Sequence, residues 1–135
     1  MPAPADRFVH DLERATNDHD VDALVACFAP DYHNETPVHP ARGFRGAEQV
    51  RKNWTQMFAA MPDLSARVLR TATVGDTVWS EWEMDGTRPD GTAHAMRGVI
   101  LFGVQDGRAA WARFYLEPLD RSASGIGEAI ASATR

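Results

Sequence analysis

The sequence is poor in several things at once, and each shortage excludes something. It has one cysteine, Cys27, in 135 residues, so neither an internal disulfide nor a cysteine-based zinc site can form. No apolar run approaches the ~20 residues of a membrane-spanning helix; Val99-Ile100-Leu101-Phe102 is typical. The opening MPAPADRFVHDLERA has neither a basic segment nor an apolar core, so no signal peptide is expected. Together with the lack of disulfides this gives a cytoplasmic expectation with no membrane association. Positive charge is also scarce. Only Lys52 among the 14 basic residues is a lysine, and the net charge is −5, which disfavours nucleic acid as a partner. The arginine-for-lysine bias and abundant alanine suggest a GC-rich bacterial genome. There is no repeat, long linker or charge block.

What is present reads as one α+β domain over residues 1–119, followed by a Ser/Ala/Gly-rich tail over 120–135, frayed or loosely helical. Phe8, Leu12 and Ala15 recur at helical spacing over about 4–18. Asp20 is placed to cap a second helix with Val21, Leu24, Val25 and Phe28 on one side, ended by Pro30. The strongest period belongs to Val50, Trp54, Met57, Phe58 and Met61, which predicts a third helix over 47–60 stopped by Pro62.

Beyond residue 63 the pattern changes to strands near 64–74, 77–86, 94–104 and 109–118. Gly75-Asp76 and Asp106-Gly107 read as tight turns, and Asp85-Gly86 with Asp90-Gly91 as the bounds of a longer loop. Strands of about ten residues in a small domain must bend, with Gly98 and Gly103 as candidate bulges. Alternation divides the sheet into an apolar face (Val78, Ser80, Trp82, Met84, Met96, Gly98, Ile100, Phe102, Ala112, Phe114, Leu116) and a mixed face. The mixed face carries Trp79, Glu81, Glu83, Arg97, Val99, Leu101, Trp111, Arg113, Tyr115 and Glu117. The first should meet the helices. The second suits a sheet-to-sheet homodimer with Glu81, Glu83, Arg97 and Arg113 paired across strands.

In this order the pieces resemble a known family. They are Asp20-Val21-Asp22-Ala23-Leu24, Asp31-Tyr32-His33, Gly46-Ala47-Glu48-Gln49-Val50, Met61-Pro62-Asp63-Leu64, Gly75-Asp76-Thr77-Val78, Gly86-Thr87, Asp106-Gly107-Arg108 and Tyr115-Leu116-Glu117. Over roughly residues 6–119 the chain resembles SnoaL-like members of the nuclear transport factor 2-like (ketosteroid isomerase-like) superfamily. The resemblance implies a cone-shaped roll of three N-terminal helices against a strongly curved, mainly antiparallel sheet, with the ligand site inside the cone. It does not fix a function, because that superfamily holds cyclases, isomerases, epoxide hydrolases, dehydratases and non-catalytic binders.

The departures from the family's enzymes are specific. Ketosteroid isomerases carry an Asp where Thr36 stands, beside Glu35, and their oxyanion-hole Asp would fall near Val99 or Ile100. Limonene epoxide hydrolases use an Arg and two Asp at positions that align with Trp82, Met84 and Phe114. SnoaL-type cyclases use an Asp and a His; His33 matches the His, and the nearest carboxylate on the final strand, Glu117, has outer-face parity.

Three side chains carry the chemical expectation: His33 as general acid/base, with Glu35 or Tyr32 assisting. The plainer reading of HNETPVH is a solvated loop before Pro37 and Pro40. His33, Glu35 and His39 have metal-ligand types, but Pro37 denies them a helical frame, so no metal is expected. Trp54, Phe58, Met61, Trp82, Met84, Met96, Ile100, Phe114 and Leu116 are expected to line a pocket for a lipophilic small molecule, or simply to fill the core. Arg42, Arg45, Arg51 and Lys52 read as a solvated basic face, and Cys27 as a buried, inert thiol.

The leading functional expectation is therefore a cofactor-free enzyme performing isomerisation, cyclisation or dehydration on a lipophilic ring substrate. The rival is a non-catalytic ligand-binding or dimeric interaction domain of the same fold.

Overall fold

A computed structural model describes residues 4–135. The first three residues, part of the expected domain and of the leader reading, lie outside the described residues. Helix α1 (Pro4–Asn17), α2 (Val21–Ala26) and α3 (Ala47–Ala60) pack on a six-stranded sheet. Its strands are β1 (Phe28–Glu35), β2 (Phe44–Arg45), β3 (Ser65–Val74), β4 (Thr77–Thr87), β5 (Ala93–Gln105) and β6 (Arg108–Pro118). The strand order is β2-β1-β6-β5-β4-β3. All pairings are antiparallel except β1 with β6, which closes the sheet's second half as a parallel pair. A final helix, α4 (Ile126–Ala133), follows an extended segment. No helix among the described residues is long and apolar enough to cross a membrane.

The helical bounds follow local chemistry. Asp20 accepts a hydrogen bond from the Ala23 amide and so caps α2. That helix ends earlier than expected, at Ala26, and Pro30 does not end it. Phe28 and Pro30 belong to β1, whose pairing with β6 shifts register between Phe28 and His33. A proline without an amide hydrogen fits that gap in the ladder. Asp85 and Gly86 likewise lie inside β4, not in the loop they were expected to bound.

Helix α1 runs along β3, the edge strand. Asn17 brackets Ala66, donating from Nδ2 to its carbonyl at 2.9 Å and accepting from its amide at 2.7 Å. Glu13 accepts from the Val68 amide at 2.6 Å. Asp6 accepts from the hydroxyls of Thr71 and Thr73. The Asn17 and Glu13 contacts satisfy backbone groups that an open edge would leave unpaired, and Asp6 ties the hydroxyls of the same strand to α1.

The sheet's apolar face builds the core, as the alternation predicts: Val78, Trp82, Ile100, Phe102 and Ala112 are buried. Trp82 Nε1 donates to Ser80 Oγ at 2.7 Å, and that hydroxyl donates to the Ile100 carbonyl at 2.7 Å, so the buried polar atoms are paired. On the other face Glu83 stands opposite Arg97 in register and meets it at 3.3 Å. Glu81 pairs instead with Arg70, and Arg113 with Glu35. Leu101 is buried on this outer face, while Trp79 and Tyr115 are exposed.

Two glycines shape the bend. Gly98 has φ of +149°, and a side chain there would collide with the Tyr115 backbone. Gly103 lets the Trp111 indole lie directly on β5, beside the register shift between Gly103 and Val104.

Candidate functional site

A cleft of about 220 Å³ lies between α3, β1 and β6. Its deep wall is Phe28, Tyr32, Asn34 and Val50, all buried. Its rim is half-buried: Thr36, Phe44, Asn53, Trp54, Met57, Phe114 and Leu116.

Strand parity decides which side chains enter it. Tyr32, Asn34 and Thr36 are spaced by two and line the interior, whereas His33 and Glu35 point to the opposite face. The Tyr32 hydroxyl donates to Asn34 Oδ1 at 2.7 Å, and Asn34 Nδ2 donates to Thr36 Oγ1 at 3.4 Å. Across the cleft, Gln49 Nε2 donates to Asn53 Oδ1 at 2.7 Å. The acceptor oxygens of both asparagines are thus engaged. Among the described residues no protein group accepts from Asn53 Nδ2 or from the Thr36 hydroxyl, and Asn34 keeps a second N–H. Burial pushes the Tyr32 phenol far above its ordinary value, so it remains a neutral donor. No lining residue carries a charge.

The ionisable residues expected to carry chemistry gather elsewhere. His33 Nδ1 lies 3.9 Å from Glu35 Oε1, and Glu35 Oε2 is held by Arg113 Nε at 3.0 Å and Nη2 at 2.9 Å. With Asn34, Thr36, Pro37, Pro40, Gly43 and Tyr115 these residues border an open outer cleft of about 450 Å³, so Asn34 and Thr36 stand between the two clefts. His39 Nε2 meets Glu117 Oε2 at 3.0 Å, pinning the loop between β1 and β2 to the outer face. The structure therefore brings His33 and Glu35 together but separates both from Tyr32 across the thickness of the sheet.

Of the residues expected to line the pocket, Trp54, Phe114 and Leu116 do so. Phe58, Met61, Trp82, Met84 and Ile100 are buried in the core, and Met96 packs half-buried against it. Phe58 is stacked under His19 at 4.3 Å, and His19 Nε2 hydrogen bonds to the Leu64 carbonyl at 2.7 Å. Sequence reasoning missed Asn34, Thr36 and Asn53, the polar groups that do face the cleft. The signal was available in Tyr32-x-Asn34-x-Thr36, a period of two, and in Asn53 beside Trp54 on the helix.

Helices packed against a curved six-stranded sheet, with a cleft between them, form the ketosteroid isomerase-like architecture. The sequence matches the model of the SnoaL-like domain over residues 7–112, and the chain belongs to this family. A loop-truncation variant of IdmH is 25% identical, with 85% of this chain and 93% of that one aligned at a TM-score of 0.71. Wild-type IdmH, from Streptomyces antibioticus, is described as a candidate polyketide cyclase. RV0760c from Mycobacterium tuberculosis, solved with estradiol-17beta-hemisuccinate, is 22% identical, covering 84% and 94% of the two chains at a TM-score of 0.73. An LEH-like epoxide hydrolase from the same organism is 20% identical over 84% and 83%, also at 0.73. No curated protein matches the chain.

Proposed function

We propose that the cone holds a neutral, lipophilic ring compound bearing a carbonyl oxygen, and that the chemistry the site supplies is hydrogen-bond polarisation of that oxygen. The observation that carries this reading is the donor character of the cleft. Its donors without a protein acceptor are N–H and O–H on Asn34, Asn53 and Thr36, and its remaining walls are Phe28, Tyr32, Phe44, Val50, Trp54, Met57, Phe114 and Leu116. An anionic ligand would find no cation there, and a cationic one no carboxylate.

Donors aimed at a carbonyl stabilise negative charge that develops on its oxygen, which favours enolisation, isomerisation and ring closure without a cofactor. A dry cleft strengthens the effect. Such a site can serve a cyclase or isomerase whose substrate is acidic enough for water at the open rim to take its proton and return one to the product, or a binding protein that delivers the compound. The first is favoured by the family's cyclase-like members, the second by the absence of Asp, Glu or His from the lining. The steroid ring system of the ligand held by RV0760c supports a lipophilic ring body. A volume of about 220 Å³ suits a one- or two-ring body, with any further ring at the open rim.

A thermal-shift panel of steroid ketones, aromatic polyketides and terpenoid epoxides tests this. A ketone at ~100 times its dissociation constant should add roughly 2.7 kcal/mol of stability. The matching alcohol, with no carbonyl, should give less. Equal shifts for both, or none from either, would overturn the reading.

The outer sheet face supports a homodimer as the working unit. Exposed Trp79 and Tyr115 and half-buried Trp111 stand among charges of both signs, a pattern that suits a second copy turned over onto the first. Sedimentation of the wild type against Trp79→Glu reads this out. A monomeric wild type would exclude it.

A further inference from the structure

We infer that Gln49, a residue outside the cleft lining, sets the selectivity of the site. It holds Asn53 as a second hydrogen-bond donor, so the cleft takes ring compounds with two acceptor oxygens in preference to ring mono-ketones. The inference rests on the ligand site proposed above and names the positioning residue that decides among its ligands.

Gln49 is free for this role because of how α3 starts. Gly46 caps the helix without a side chain, which makes Gln49 the third helical residue. A Gln at that place commonly folds back onto the capping residue's amide. In this chain that amide already donates to the Tyr32 carbonyl at 2.7 Å. The Gln49 side chain instead runs forward one turn, where its Nε2 donates to Asn53 Oδ1 at 2.7 Å. Gln49 does not line the cleft, whereas Asn53 does. A side-chain amide has one acceptor end and one donor end. With Oδ1 spent on Gln49, the Nδ2 end of Asn53 is the one left for a ligand.

The two sets of donors stand apart. Asn34 and Thr36 offer theirs from β1, and Asn53 offers its own from α3. A single carbonyl oxygen meets one wall and leaves the other wall's donor without an acceptor where the ring displaces water, which costs free energy. A second acceptor on the ligand removes that cost. The donors also differ in what holds them. Reversing the Asn34 amide would leave the buried Tyr32 hydroxyl with no acceptor. Reversing Asn53 needs only that its partner at position 49 accept rather than donate, so selectivity is decided at Gln49.

Dissociation constants of decalin-1,5-dione and 1-decalone, two-ring compounds that differ by one carbonyl, test this on the full-length chain. Wild type should bind the dione about tenfold more tightly, as one added hydrogen bond allows. Gln49→Glu can only accept from Asn53, which turns the Asn53 carbonyl toward the ligand, and the preference should vanish or reverse. A carboxylate suits the first turn of a helix, so this variant should fold normally. Gln49→Lys can only donate and should restore the preference. Asn53→Ala, which removes the donor without adding charge, should abolish it. If wild type binds both ketones equally, the inference is overturned while the ligand reading stands. A preference kept in Gln49→Glu and lost in Gln49→Lys would mean that the amide pair is oriented the other way, and would also overturn it. If neither ketone binds, the ligand reading itself fails and takes the inference with it.

Discussion

Tyr32 and Asn34 share one hydrogen bond, 2.7 Å long, in which a buried phenol donates to a buried amide oxygen on the same strand. It fixes the Asn34 amide so that its N–H groups, not its carbonyl, are directed away from Tyr32. The donor character of the cleft follows from this pair, as does its lack of charge.

Tyr32→Phe should cost about 1–3 kcal/mol of folding stability, since Asn34 Oδ1 would be left buried without a donor. Urea denaturation of Tyr32→Phe, Asn34→Leu and the double variant gives the coupling directly. A positive coupling near ~1 kcal/mol is expected. Additive losses would mean that the two groups do not act on each other.

Gly103→Ala should destabilise by about 2–4 kcal/mol, because the new methyl meets the Trp111 indole and the strand cannot yield without breaking its register with β6. Adding Trp111→Ala should recover part of the loss. A wild-type melting temperature for Gly103→Ala would show that the indole does not lie on the strand in solution.

Stability should fall in alkali through Cys27. Burial, with a smaller contribution from the nearby Asp11 carboxylate, pushes its thiol up from 9.0 to about 11. The folded protein thus holds a proton that the unfolded chain releases. The stabilisation is complete below pH 9 and is lost as pH rises toward 11. Denaturant midpoints at pH 8, 9, 10 and 11 should decline less steeply for Cys27→Ala than for wild type. Parallel declines would place the loss on other groups. The same burial predicts slow alkylation of Cys27 at pH 8.

The sheet and α3 were legible because their signals are local and redundant. Val50, Trp54, Met57 and Phe58 repeat at helical spacing, and paired turn residues at 75–76 and 106–107 bound strands that alternate cleanly. β1 was not. Pro30 interrupts its pattern, Asp31 and His33 make it read as a polar loop, and the register gap after Phe28 hides the alternation. Chemistry then drew attention to His33 and Glu35, although Tyr32 and His33, adjacent on any strand, cannot face the same cavity. Which aromatic residues line space and which fill it depends on tertiary packing. Trp82 and Trp54 read alike in sequence, yet one is fully buried and the other sits on the rim.

The claim that matters most is that the ligand lies inside the cone, against amide donors, and not in the outer cleft beside His33 and Arg113. The direct measurement follows the side-chain amide and guanidinium resonances of a nitrogen-15-labelled chain while a steroid ketone is titrated. The account predicts that the Asn34 and Asn53 amide signals move with one saturation curve while Arg113 Nε stays still. Movement of Arg113 with both asparagine amides unchanged would contradict it.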